Sequence, residues 1–145
     1  MDIELLKERI NKSLDNYNIV HQTIYVTPIG KVRMTQRDRW AKRPAVLKYY
    51  EHKDELNRQC KPPEGVKGVS WIGYFPFPKS YSKKKKKILS GKQHEQKPDQ
   101  DNVTKFLYDS LFKEDSMISL GFAEKLWINE GEQTRIELYF HCLKQ

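Results

Sequence analysis

Apolar positions along this chain fall into helical and strand-like spacings in turn. Ile3, Leu5, Leu6, Ile10 and Leu14 recur at roughly helical intervals, which predicts a short helix over residues 2–15. "HQTIYVTPIG" is β-branched and aromatic and ends at Pro28 and Gly30, the pattern of a strand. After Pro44, which suits a first helical turn, Val46, Leu47, Tyr50 and Leu56 lie on or near one helical face. "GVSWIGYFPFP" predicts a second strand, with Trp71, Ile72, Tyr74 and Phe75 for packing. A short basic helix follows, with Ser80 or Ser82 as N-cap and Gly91 as C-cap.

The clearest helix is "DNVTKFLYDSLF". Asp101 or Asn102 caps it, and Val103, Phe106, Leu107, Ser110 and Leu111 form its inner face. "SMISLGFAEKLWI" and "QTRIELYFHCL" read as two closing strands, joined as a hairpin at "NEGE" through Gly131. No internal repeat is visible. This order predicts an α+β domain: a mixed or antiparallel sheet with helices packed mainly on one face. Residues 1–20 read as an N-terminal helical extension and residues 21–145 as the domain itself.

Composition narrows the class of partner. A chain of 145 residues suits one domain with one core. Its net charge of +8 and pI of about 9.4 favour a polyanion, nucleic acid first and an anionic membrane surface second. No run approaches the roughly 18 apolar residues of a membrane helix, and residues 1–14 lack a signal-peptide core, so the expectation is a cytoplasmic protein. In that compartment Cys60 and Cys142 read as buried or half-buried thiols. The four histidines show no paired metal-ligand spacing, which argues against zinc.

Against this basic background, "KPDQDNVTKFLYDSLFKED" concentrates Asp99, Asp101, Asp109, Glu114 and Asp115. In an extended segment Asp99 and Asp101 would point to the same side. Asp101, Lys105 and Asp109 are spaced four apart and share a face of the helix that follows. Two readings stand. One is a capping turn with an ordinary Asp101–Lys105 pair. The other is a Mg2+ site, since Mg2+ binds one or two carboxylates, keeps several waters and accepts phosphate oxygens. Beside a basic surface, such a site implies phosphodiester hydrolysis.

The basic residues form two patches. Lys31, Arg33, Arg37, Arg39, Lys42 and Arg43 make one; Lys79, the run Lys83, Lys84, Lys85, Lys86 and Lys87, Lys92 and Lys97 make the other. A lysine run is commonly a solvated helical face; beside an acidic metal motif, contacts to phosphate become the better reading. Trp40, Tyr49 and Tyr50 read either as stacking platforms for exposed bases or as core and interface residues.

Taken together, "DQDNVTKFLYD", then "EDSMI", then "AEK" resembles the RusA family of Holliday-junction resolvases. Upstream, "PFPKSYSKKKKKILSGKQHEQKPDQDN" and "GKVRMTQRDRW" are similar to the family's Pro-aromatic, Lys-rich and basic segments, so residues 22 to 140 are covered. The resemblance implies a homodimeric endodeoxyribonuclease that resolves four-way DNA with Mg2+, Mn2+ being a possible substitute, and with no small-molecule cofactor. It also implies that Asp99, Asp101 and Asp115 hold the metal, that Lys105 is the essential lysine, and that Lys125 meets phosphate. Asn102 and Asp109 match further motif positions, Asp109 as a helix-stabilising or supporting group. Here "SLFKED" runs straight from the helix into a Glu114–Asp115 pair where the family has two aspartates after a longer loop. Glu114 is therefore the alternative to Asp115 as ligand.

Overall fold

Ile136, Leu138, Phe140 and Cys142 alternate along the last strand, and all four are buried. Alternation puts them on one face, which becomes the floor of the core. The computed structural model describes residues 2–39, 41 and 43–144; Trp40 and Lys42 lie outside the described residues. The elements in chain order are α1 (Ile3–Asn16), β1 (Tyr17–Ile24), α2 (Pro44–Gln59), β2 (Val66–Phe75), α3 (Lys83–Leu89), α4 (Gln100–Leu111), β3 (Ala123–Trp127) and β4 (Arg135–Leu143). A 3-10 turn over Gln36–Arg39 interrupts the long connection between β1 and α2. This is the expected α+β domain with a mixed sheet.

The sheet order is β1-β4-β2-β3. β4 runs antiparallel to both neighbours, while β3 pairs with β2 in parallel, Trp71 opposite Ala123 and Phe75 opposite Trp127. The expected β3–β4 hairpin is therefore wrong. β2 lies between the two strands, because it is buried along nearly its whole length and takes a central place. The connection over residues 128–134 crosses the end of β2. Ile128 N–H donates to the Phe75 carbonyl, and the Thr134 hydroxyl donates to that of Tyr74.

β1 also differs from expectation. It follows α1 without a loop and ends at Ile24, not at Gly30. Its last partner is Ile136, near the start of β4, so the residues beyond Ile24 have no strand to pair with.

Val69, Trp71 and Phe75 of β2 join the buried β4 row, and α2 and α4 close over this face. Trp71 Nε1 donates to Thr104 Oγ1 at 3.0 Å, and the Tyr49 ring meets Phe106 edge-on at 5.7 Å. In α2 the buried positions are Val46, Tyr49 and Leu56; Leu47 and Tyr50, expected inside, are exposed. The 46, 49, 56 spacing defines a face to which 47 and 50 are only shoulders. α4 buries Val103, Phe106, Leu107 and Ser110, as its period predicts. Cys60 and Cys142 are buried free thiols. No helix is long and apolar enough to cross a membrane among the described residues.

Candidate active site

The acidic motif begins at the N-terminus of α4, where the helix starts two to three residues earlier than its sequence implies. The N-cap is Asp99, with φ −66° and ψ 150°, and neither Asp101 nor Asn102. The Asn102 and Val103 N–H groups both donate to the Asp99 carbonyl at 3.1 Å, which starts the helical ladder there. Asp101 is therefore inside the first turn. Asp99 stands just outside the helix in extended backbone, so the two carboxylates leave the chain on either side of the helix start.

The two residues line adjoining grooves. Asp101 lines a cleft of about 630 Å³ together with Lys105, Asp109, Lys113, Glu114 and Asp115. Asp99 lines a neighbouring groove with Pro28, Gly30, Lys97 and Asn102. Lys31 borders both. Among the described residues, no group of three or more His, Cys, Asp or Glu side chains is close enough to hold a metal.

Five hydrogen bonds fix this end of α4 and the turn before it. Gln100 Nε2 donates to the Ala123 carbonyl at 2.7 Å, and Lys31 N–H donates to that of Asn102 at 3.0 Å. The Trp71–Thr104 bond holds the next turn. Lys125 Nζ, reaching from β3, donates to the carbonyls of Gln96 and Pro98. Gly30 allows the first loop to come this close, since a Cβ there would stand 3.1 Å from the Cβ atoms of both Pro98 and Asn102.

The cleft carboxylates differ in how far they are committed. Asp101 Oδ2 lies 3.8 Å from Lys105 Nζ, the pair expected from their spacing, and both side chains are largely exposed. Asp109 is fully engaged: Tyr49 donates to it at 2.6 Å, and Lys53 and Lys31 stand at 3.4 and 3.6 Å. Burial works against its charge, but Tyr49 and the two lysines outweigh burial and hold its carboxyl below the usual value. Glu114 accepts from the Ser116 hydroxyl at 3.0 Å. Asp115 and Asp99 make no side-chain hydrogen bond or ion pair among the described residues, and Asp99 does not use its carboxylate as a cap.

The basic residues fall in three groups along the chain. Lys83, Lys84 and Lys85 are exposed on α3, with Ser82 as the N-cap, and Lys86 is half-buried. Lys83, Lys86 and Lys87 line a groove with Phe77 and Ile128, while Lys85 sits 3.8 Å over the Tyr81 ring. Arg33 and Arg37 are exposed on the loop before α2, and Lys97 is exposed beside Asp99. Buried Asp38 organises that loop by accepting from Arg43 at 3.0 Å and from Thr35 N–H at 2.8 Å. The Arg43 guanidinium foremost holds the Asp38 carboxyl far below its ordinary range. Lys125, expected to meet phosphate, has its ammonium on two loop carbonyls. Tyr49, Lys53 and Gln100 also shape the site; no local spacing could have found them, because Tyr49 and Lys53 meet Asp109 from another helix and Gln100 meets a distant strand.

No curated protein matches the chain. The family model for endodeoxyribonuclease RusA matches residues 26–139, from just after β1 into β4. That segment contains both grooves, the lysine-rich α3 and the whole acidic motif. With so much of the chain matched, the protein belongs to the RusA family of endodeoxyribonucleases.

Proposed function

We propose that this endodeoxyribonuclease resolves Holliday junctions as a Mg2+-dependent homodimer, with Mn2+ as a substitute ion. The observation that carries the reading is the cleft lined by Asp101, Lys105 and Asp115 together with Lys31 and Lys113. Carboxylate oxygens are the donors a hard cation takes, and Mg2+ needs only one or two of them beside water and phosphate oxygens. Asp101 and Asp115 offer such a set, and Asp99 adds an uncommitted carboxylate from the adjoining groove. When bound, the ion offsets charge on the scissile phosphate and lowers the pKa of a bound water.

The chain's own side chains supply binding and orientation. Lys105 stands over the cleft with an exposed ammonium, where it stabilises charge on a phosphate oxygen or orients the attacking water. Lys31, Arg33, Arg37, Lys83, Lys84, Lys85, Lys86 and Lys97 dock the phosphate backbone. A four-way junction has approximate two-fold symmetry, and a two-fold dimer sets identical sites on opposed strands. Exposed Ile3, Leu5, Leu6 and Leu14 give α1 apolar surface for such pairing.

The test is a labelled four-way junction with purified protein and Mg2+. Paired symmetric nicks are expected, with Asp99→Asn losing cleavage and keeping junction binding. Normal cutting by Asp99→Asn overturns the site assignment. Equal cutting of linear duplex overturns junction selectivity, and binding without nicks at every metal concentration points to a non-catalytic junction-binding role.

A further inference from the structure

We infer that Lys125 is a positioning residue that clamps the turn before α4 and so sets the direction of the Asp99 carboxylate. This rests on the reading of Asp99 as a metal-holding group. Lys125 stands on β3 opposite Gly73 of β2, a position without a competing side chain. Its half-buried stem passes the Phe75 ring, with Nζ 5.8 Å from the ring centroid. The ammonium ends on the carbonyls of Gln96 at 2.5 Å and Pro98 at 2.8 Å. Its own backbone carbonyl accepts from His94 N–H at 2.9 Å, so one lysine holds the 94–98 segment at both ends.

This segment belongs to no helix and no strand; a single bridge at Gln93 precedes it. Its Gln96 and Pro98 carbonyls need donors from elsewhere, and Lys125 provides both. The consequence reaches Asp99 through the backbone. The Pro98 carbonyl is held by Lys125, and the Asp99 carbonyl is held by the N–H groups of Asn102 and Val103. The Asp99 carboxylate makes no cap bond. Its direction is therefore set by the two pinned peptides on either side, not by a contact of its own. A lysine that docks phosphate needs a solvated ammonium facing outward; here two of its three N–H groups are occupied by the loop.

The clamp and the phosphate-contact roles separate in one set of measurements on full-length Lys125→Met, which keeps the stem and removes the donor. Mn2+ binding without DNA, followed by electron paramagnetic resonance, should weaken by about tenfold, the usual scale for losing a group that orients a ligand. Hydrogen exchange should quicken across residues 96–103 while β2 and β4 stay protected. Junction affinity without metal should keep its salt dependence, whereas loss of a phosphate contact lowers the slope of log K against log salt by about one. A slope lowered in this way, with Mn2+ affinity and exchange unchanged, overturns the clamp. Lys125→Gln, which retains a donor, should fall between wild type and Lys125→Met in Mn2+ affinity and exchange; equality with Lys125→Met also overturns it. If wild-type protein binds no Mn2+, the metal reading fails, and the exchange pattern still decides the clamp.

Discussion

The Tyr49 hydroxyl donates to Asp109 at 2.6 Å and ties α2 to α4 behind the cleft. The ring is 1% exposed, so water cannot replace the partner without opening the core. Burial first, and then the hydrogen bond to Asp109 and its charge, push the Tyr49 hydroxyl well above its ordinary pKa. Tyr49→Phe should lose about 1.5–3 kcal/mol, the range for a hydrogen bond to a charged group. Urea unfolding measures it. A midpoint equal to wild type would mean that the bond contributes nothing net.

Glu114 and Asp115 should respond differently to neutralisation. The Glu114 carboxylate is engaged by Ser116, whereas Asp115 makes no side-chain hydrogen bond or ion pair among the described residues, and only its charge reaches Tyr108. Loss of an outer-sphere group costs about 10- to 100-fold in metal affinity or activity, so losing a direct ligand should exceed about 100-fold. Asp115→Asn is expected to pass that threshold in single-turnover junction cleavage, and Glu114→Gln to stay within it. The reverse ranking would make Glu114 the ligand.

Two glycines predict opposite tolerances. A Cβ on Gly121, at the edge of the cleft, would stand 2.1 Å from the Val69 carbonyl oxygen, where β2 receives the chain. Backbone hydrogen bonds from Val69 to Leu120 and from Trp71 to Phe122 prevent the strand from moving aside. Gly121→Ala should cost more than about 3 kcal/mol, beyond ordinary substitutions. Gly131 has φ of +81° but open space around it, so Gly131→Ala should cost only the left-handed backbone penalty of about 1–2 kcal/mol. Similar melting temperatures for the two variants would contradict the close approach at Gly121.

His94 predicts how stability depends on acid. It is stacked 4.0 Å from the Phe75 ring, and burial, followed by the Lys125 charge, pushes its pKa down to about 4. The unfolded chain, with histidine near 6.5, then binds more protons between those values. Stability should be complete above pH 6.5 and fall by on the order of 2–3 kcal/mol as pH drops to 4. Burial lowers His141 as well, which adds in the same direction. An NMR titration of the His94 ring that turns over near 6.5 would remove this contribution.

The parts of the fold legible in the sequence are those encoded locally. The α4 inner face, the Ser82 cap of α3, Pro44 at the start of α2 and the Asp101–Lys105 pair all follow from spacings of four residues or fewer. The Lys-rich run and the acidic cluster were visible for the same reason, and together they pointed to metal-assisted chemistry on a phosphate polymer.

Other features depended on which distant segments meet. β3 and β4 are neighbours in sequence with a turn-like connection, yet β2 separates them, because a strand buried on both faces gains most at the centre of the sheet. Asp99 and Asp101 are two residues apart, yet the helix begins between them at the Asp99 carbonyl and they line different grooves. Asp109 takes its cations from Lys31 and Lys53, and Lys125 takes its carbonyls from Gln96 and Pro98. Residue types and local periods therefore determined the chemistry present and most of the helices. Tertiary structure decided which carboxylates remain uncommitted, because hydrogen-bond partners are chosen by proximity in the packed sheet and not by distance along the chain.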